Sequence, residues 1–185
     1  MDSMETANLI ALSMTAAVAI FAALLLLARD NMRRDQAIFL AGLLLLYAIF
    51  KTNDVVTMTG GYAGAPAFAV VTAPVRFLFG AAIFFYARAM TSPTPQWLRP
   101  RDALALVWPA AGMIAIIPFI MMSAQDKNSL MAEEFSSEEM REWFILTCKV
   151  IFALFLGSVF VYLGAAFRLL LRHTENVRQL FSNIE

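Results

Sequence analysis

The chain has 185 residues, of which 61% are hydrophobic and only 15% are charged, and its formal net charge is zero. An average soluble protein has roughly a quarter charged residues, so this composition excludes an ordinary water-soluble domain. The single cysteine, Cys148, excludes an intramolecular disulfide and a multi-thiolate metal site, and the lone His173 cannot hold a metal ion by itself. We therefore expect an integral membrane protein without a metal or another cofactor.

Five apolar segments are long enough to cross a bilayer, whose hydrocarbon core of about 30 Å needs roughly 20 helical residues. In chain order these segments are 7–28, 36–58, 67–87, 103–123 and 143–167. The predicted fold is all-α: a bundle of five transmembrane helices over residues 1–167, followed by a helical tail at 168–185. The acidic N-terminus and the length of the first segment favour a retained helix over a secretory signal.

The distribution of arginines predicts the orientation of the bundle, because cytoplasmic loops are enriched in Lys and Arg. Nine of the fourteen basic residues lie in two connections and the tail: Arg29, Arg33, Arg34, Arg88, Arg99, Arg101, Arg168, Arg172 and Arg178. The loop 124–142 is acidic by contrast. We therefore predict that the N-terminus and this loop are extracytoplasmic and that the C-terminus is cytoplasmic.

Local signals predict how the segments are joined. Gly60 and Gly61 suit a tight turn and Pro66 suits the first turn of the next helix, so segments two and three are expected to form an antiparallel hairpin. The proline-rich connection TSPTPQWLRPRD is expected to be stiff and extended. Pro109 and Pro118 favour a bend in segment four, either beside a cavity or as a matter of packing.

The last segment is predicted to extend beyond the membrane at both ends. Ser136 or Ser137, followed by Glu138 and Glu139, is typical of a helix N-cap with an acidic first turn. Apolar residues continue at helical spacing after the span: Leu169, Val177, Leu180, Phe181 and Ile184. We expect one helix to run from the acidic loop into the cytoplasm.

Four ionisable side chains lie within the predicted spans: Lys51, Asp54, Arg76 and Lys149. Such groups cost roughly 2.5–3.5 kcal/mol each at a helix centre and are functional candidates by default. A rise of about 1.5 Å per residue puts all four in the outer half of the membrane. Tyr47 shares a helix face with Lys51 and Asp54 because the spacing is i, i+4, i+7.

Small residues on the same helix faces as the charged side chains predict close helix contacts. They are Ala69, Ala73 and Gly80 on the face of Arg76, and Ala153 and Gly157 on the face of Lys149. We expect the three charged faces to pack together, with a surplus of positive charge that an anionic lipid or a small acid would neutralise. The alternative is purely structural. In that alternative Asp54 pairs with Lys51, and the lysines extend to the interface.

The sequence contains no recognisable catalytic constellation: no Ser/His/Asp set, no paired carboxylates within a span and no phosphate-binding glycine loop. We therefore expect no enzymatic activity. The alternative that stays open is a small membrane transferase that uses Glu133 and Glu134 of the acidic loop.

Two stretches resemble a known family. The run PVRFLFGAAIFFYARAMTSPTPQWLRPRDALALVWPA and the tail LLRHTENVRQLFSNIE are similar to parts of the N-terminal membrane sensor domain of AraC-type transcription regulators. Gly80, Tyr86 and Arg88 match a pattern of that family, whereas Ala81 stands where proline is expected. The resemblance implies a multi-pass protein of the bacterial cytoplasmic (inner) membrane. Family members carry a DNA-binding domain after the membrane domain, and this sequence has no corresponding region, so we expect no direct nucleic-acid binding.

Taken together, these patterns favour a sensory or regulatory membrane module. It would bind an extracytoplasmic or lipid-borne anion and signal through the last helix to a protein partner or within a homo-oligomer. The alternatives are an accessory subunit of a larger membrane complex and a small oligomeric transporter. For a transporter we would expect an internal sequence repeat, and we find none.

Overall fold

A computed structural model describes residues 3–29, 33–62, 72–123, 126–127, 129 and 137–182, and all its regular elements are helices. The α-helices are α1 (Ser3–Ala28), α2 (Arg34–Met58), α3 (Ala73–Arg76), α4 (Leu78–Thr91), α5 (Val107–Met121) and α6 (Glu138–Ser182). A 3₁₀-helix at Pro100–Leu106 leads directly into α5. The all-helical class predicted from the sequence is confirmed.

Four stretches are long and apolar enough to cross a membrane: Ser3–Ala28, Arg34–Met58, Pro100–Met121 and Arg141–Gln179. They correspond to predicted segments one, two, four and five. Segment three is described only in part, as α3 and α4, and Pro66 lies outside the described residues. A membrane protein is thus supported, whereas five crossings and their orientation remain predictions.

Prolines explain where the observed helices depart from the predicted ones. The Phe77 N–H donates a hydrogen bond to the carbonyl of Pro74, three residues back. Phe77 is the one residue between α3 and α4. The helix then continues beyond the predicted end at 87 as far as Thr91, because Pro93 disfavours further helix and Ser92 is extended (φ −96°, ψ 136°). Segment four begins as a 3₁₀-helix at Pro100, not as an α-helix at 103.

Aromatic contacts show that α2 and α4 run in opposite directions. Phe39 stacks on Phe85 with ring centroids 5.7 Å apart. Phe50, further along α2, meets Phe79, which comes earlier in α4, at 5.8 Å. Helices α2 and α4 are therefore antiparallel neighbours, as predicted for this pair, and Gly60, after the end of α2, has a positive φ of 67°, which glycine adopts readily.

Helices α4 and α6 run parallel and in register. Phe77, directly before α4, meets Phe155 at 6.1 Å, and Phe84 meets Tyr162 at 6.2 Å. The two contacts are seven residues apart on both helices, which is two helical turns. Gly80 lies between them, and a β-carbon added there would come within 2.9 Å of Tyr162.

The remaining contacts complete an alternating arrangement. Helix α5 is antiparallel to α6, because Tyr162 donates a hydrogen bond to the Ala105 carbonyl at 3.3 Å while Phe119 packs on Trp143 at 5.2 Å. Helix α1 is antiparallel to α2, since Asn8 reaches Met58. The chain thus reverses direction at each connection, and the tail of α6 emerges beside the α1–α2 and α4–α5 connections. We call this end, with Arg29, Arg33, Arg34, Arg88, Arg99 and Arg101, the arginine-rich end.

The last segment forms one helix that continues past both ends of the predicted span, 143 and 167. Helix α6 is one continuous helix of 45 residues that begins directly after Ser137. It passes through position 167, the predicted end of the membrane domain, without a break. The predicted tail is therefore a direct continuation of the last span as far as Ser182.

Candidate functional site

Three of the predicted site residues lie together on α2. Lys51 Nζ and Asp54 Oδ2 form an ion pair at 3.1 Å, with side chains 26% and 39% exposed. The same ammonium lies 5.7 Å from the centre of the Tyr47 ring, a cation–π distance. The spacing that put these residues on one face was therefore right, and the nearest charge partner of Asp54 is Lys51.

The other two predicted residues, Arg76 and Lys149, do not join this pair. Both are exposed, and neither makes an ion pair or a side-chain hydrogen bond in the part of the chain that the structure describes. The expected packing of three charged faces is therefore not seen there. Phe77, between Arg76 and the helix that carries Gly80, keeps a helical backbone (φ −67°, ψ −20°), so the predicted shared face of Arg76 and Gly80 stays a prediction.

Of the small residues predicted to mark close contacts, Gly80 does so, because a β-carbon there would come within 2.9 Å of Tyr162. A β-carbon on Gly157 would be 3.9 Å from Trp108, an ordinary van der Waals distance, and Ala153 is exposed. Ala69 and the side chain of Ala73 lie outside the described residues. Gly80 therefore marks the packing of α6 on α4, not a meeting of the charged groups.

Phe77 connects Arg76 to the core of the bundle. Its side chain follows Arg76 directly in sequence and is 1% exposed. It packs edge-on against Phe155 of α6 and over Gly112 of α5, where an added β-carbon would be 2.6 Å from the ring. Phe77 therefore links α3 to two other helices.

A first polar cluster at the arginine-rich end is centred on Asp35, which is 1% exposed. Arg33 donates hydrogen bonds to both of its carboxylate oxygens, at 3.3 and 2.8 Å. The backbone N–H of Gln96 adds another at 2.8 Å. Arg33 also donates to the carbonyls of Ser92 and Thr94, so the proline-rich connection is fixed to the start of α2.

A second cluster joins the end of α4 to the 3₁₀-helix. Arg88 donates two hydrogen bonds to Asp102, at 2.8 and 3.0 Å, and these side chains are only 16% and 10% exposed. Asp102 also accepts the Arg99 backbone N–H at 2.7 Å. The Arg88 guanidinium lies 5.0 Å from the centre of the Phe85 ring. Arg33 and Arg88, counted above as charges that set the orientation, thus also hold the folded connection in place.

Sequence reasoning missed both clusters because it counted the arginines by loop and did not consider their acidic neighbours. A usable signal was present. Asp35 follows two arginines in the first turn of a helix, and Asp102 stands two residues after Pro100 at a helix start, where acidic side chains accept backbone N–H bonds.

A third polar group, also missed, lies near the opposite end of α2. Asn53 is 9% exposed, and its Oδ1 accepts hydrogen bonds from the Tyr62 hydroxyl and the Thr72 hydroxyl, both at 2.8 Å. All three residues line an open groove of about 410 Å³. This group was not predicted from the sequence, because only ionisable residues within the spans were considered.

Among the described residues, no three His, Cys, Asp or Glu side chains come together in a way that could hold a metal ion. The chain matches no protein-family model, no curated protein and no solved structure. The likeness to AraC-type sensor domains therefore rests on the sequence patterns alone.

Proposed function

We propose that this protein is a membrane-embedded sensory or regulatory module. It binds an extracytoplasmic or lipid-borne anion in the outer half of the membrane and signals through α6 to a cytoplasmic protein partner. The observation that carries this proposal is the continuity of α6, a single helix of 45 residues. At about 1.5 Å per residue such a helix is about 68 Å long, more than twice the roughly 30 Å of a hydrocarbon core.

The end of α6 is available to a partner. Residues 170–179 are all exposed in the isolated chain. They include Arg172 and Arg178 together with Leu170, Leu171 and Val177, a mixture of charged and apolar side chains. A protein partner that binds this segment would detect rotation or translation of the whole helix.

The input side of the proposal is the pair of exposed cations. Arg76 and Lys149 lie on different helices, α3 and α6, and have no anionic partner within the described residues. In the outer half of a bilayer both are costly to leave unpaired. A lipid phosphate or a small carboxylate that approaches them gains charge-assisted hydrogen bonds.

Coupling between input and output runs through Phe77. An anion that pulls Arg76 also moves the adjacent Phe77 ring, which packs against Phe155 of α6. Because Phe84 and Tyr162 hold the same register two turns further on, α4 and α6 move together. The ligand shifts the equilibrium only as far as its affinities for the two arrangements differ.

We propose further that the protein lies in the bacterial cytoplasmic membrane, with the start of α1 outside the cell and the end of α6 in the cytoplasm. The arginine-rich end and the tail of α6 lie on one side of the bundle, which fits the positive-inside rule. The resemblance to the membrane sensor domain of AraC-type regulators points to the same location and to a role in transcriptional control through a partner.

The binding step is testable by native mass spectrometry of the full chain, with phosphatidylglycerol as the anionic probe and phosphatidylcholine as the neutral one. We expect preferential retention of phosphatidylglycerol, lost in the double variant Arg76→Gln/Lys149→Gln. Arg141→Gln is the matched control, because Arg141 is an exposed cation of α6 that already pairs with Glu138 at 2.7 Å. Equal retention by the double variant would contradict the proposed anion site.

An accessory subunit of a larger membrane complex is the second candidate, and α1 favours it. This helix packs chiefly against α2, and its other side presents Met14, Val18 and Phe21, each more than 60% exposed in the isolated chain. Such a face suits a helix of another protein as well as lipid. Co-purification of a stoichiometric partner that is lost on Val18→Trp, with anion retention unchanged, would support this function.

A further inference from the structure

The groove beside α2 has features of a ligand site that is separate from the charged residues of the proposed function. It holds about 410 Å³ and is lined on its apolar side by Ile20, Leu45 and Ile49, among others. Ile20 and Ile49 are 41% and 44% exposed, so the groove opens onto the apolar surface of the bundle. In a membrane that surface faces hydrocarbon, and a ligand would enter from the bilayer.

The Asn53 side chain, which lines this groove, keeps a hydrogen-bond donor that is unpaired within the described residues. Asn53 uses its oxygen twice, for Tyr62 and Thr72, but its Nδ2 donates no hydrogen bond within the described part of the chain. Across the described residues, Nε of Arg88 is the only side-chain nitrogen or oxygen that is both fully buried and unpaired. The Asn53 nitrogen is therefore not fully enclosed, and Asn53 lines the groove. Because Asn53 is 9% exposed, an acceptor there would bind in a largely dry environment, where hydrogen bonds are strong.

The polarity of the groove changes along its length. From Leu45 to Val56 it follows α2 for roughly 16 Å, at about 1.5 Å per residue. Its apolar end, at Leu45, lies near the middle of α2, and its polar end, at Asn53, lies nearer the end of α2 at Met58. A phospholipid in that leaflet has the same order, with the ester carbonyl towards the surface and the acyl chain towards the bilayer centre.

We propose that this groove binds one acyl chain of a membrane phospholipid and that the Asn53 side-chain NH₂ donates a hydrogen bond to the ester carbonyl of that chain. The ester carbonyl accepts a hydrogen bond from the Asn53 NH₂, which has no other acceptor within the described residues. The apolar side chains of the groove pack against the methylene chain, so the groove surface is no longer in contact with mobile lipid. The contact does not depend on the head group, so it is distinct from the anion site at Arg76 and Lys149.

The test compares two lipids that differ only in the carbonyl. Native mass spectrometry of the full chain would use dioleoyl phosphatidylcholine and its diether analogue, which has the same head group and chains without ester carbonyls. We expect one retained ester lipid and retention of the ether analogue weaker by about tenfold, the effect of one lost hydrogen bond in a buried site. Asn53→Leu should lower ester-lipid retention to the ether level, whereas Asn8→Leu, at an asparagine of α1 outside the groove, should leave it unchanged.

A second variant keeps the test decisive if Asn53→Leu fails to fold. Ile49→Trp fills the groove from a half-exposed position without removing any hydrogen bond of Asn53, and we expect it to abolish retention of both lipids. Equal retention of ester and ether lipids by the unmodified protein would overturn the carbonyl contact. Unchanged retention by Ile49→Trp would place the lipid elsewhere, and retention of a quinone in place of the phospholipid would assign a different occupant.

Discussion

The ring of Phe77 lies directly over Gly112, so closely that a β-carbon on Gly112 would come within 2.6 Å of the ring carbon Cε2. The contact joins α3 to α5 at the point where Phe77 also meets α6. Gly112→Ala should therefore displace the Phe77 ring. We expect a loss of about 1–3 kcal/mol in the free energy of unfolding, the usual cost of overpacking a core, measured by reversible unfolding in mixed detergent micelles.

Gly42→Ala is the matched control for that experiment. Gly42 lies within α2, and nothing would stand within 4 Å of an added β-carbon. Alanine is favoured over glycine in a helix interior by roughly 0.5–1 kcal/mol, so this variant should be neutral or more stable. Equal destabilisation by both alanines would show that the close approach of Phe77 and Gly112 is not important for stability.

The Arg88–Asp102 pair should contribute more to stability than an exposed ion pair. Asp102→Asn removes the anionic acceptor from a guanidinium that is only 16% exposed. We expect a loss of about 1.5–3 kcal/mol, the range for hydrogen bonds to charged groups, in the same unfolding assay. Glu138→Gln breaks the pair with Arg141, whose side chains are 51% and 71% exposed, and should cost less than about 1 kcal/mol. Similar losses for the two variants would refute a special role for the cluster.

The hydrogen bond between Tyr62 and Asn53 can be tested by removing one oxygen atom. Tyr62→Phe deletes the donor of a 2.8 Å bond in a buried cluster and should lower stability by about 1 kcal/mol. Tyr47→Phe serves as the control, because the Tyr47 hydroxyl makes no hydrogen bond within the described residues. If Tyr62→Phe is as stable as the unmodified protein, the cluster does not hold the end of α2.

Chain direction predicts which positions share a side of the membrane. In a Cys148→Ser background, single cysteines at Thr94 and Arg178 should react with a membrane-impermeant maleimide only after the cytoplasmic side is exposed. Cysteines at Ser3 and Ser137 should react from the outside of intact cells. Labelling of Thr94 and Ser137 from the same side would be incompatible with an odd number of crossings between them.

The fold was largely predictable because helix-forming apolar segments leave a strong signal in a sequence. Four spans, the turn at Gly60 and the start of α6 after Ser137 were each indicated by local residue types. The turn at Phe77, where the N–H bonds to the carbonyl of Pro74 three residues back, was not indicated by local residue types. Neither was the 3₁₀-helix at Pro100, whose Asp102 pairs with Arg88 of another helix.

The candidate site was predictable only along one helix. The spacing of Tyr47, Lys51 and Asp54 fixes their shared face without any tertiary information. The positions of Arg76 and Lys149 depend on how α3 and α6 rotate against their neighbours, and a single sequence carries little information about that rotation. Asn53 was missed for a different reason. Its amide is uncharged, so it did not stand out within an apolar segment, and its hydrogen bonds with Tyr62 and Thr72 are visible only in the folded structure.

The proposed signalling requires that Arg76 and Lys149 be coupled to the tail of α6, and a distance measurement can detect this coupling. Spin labels would be placed at Thr94→Cys and Val177→Cys in the Cys148→Ser background, and the distance distribution recorded by pulsed electron paramagnetic resonance in nanodiscs. We predict different distributions in phosphatidylglycerol and phosphatidylcholine, and no difference once Arg76→Gln and Lys149→Gln are added. The same distribution in both lipids, or a lipid-dependent shift that survives those two substitutions, would contradict the coupling.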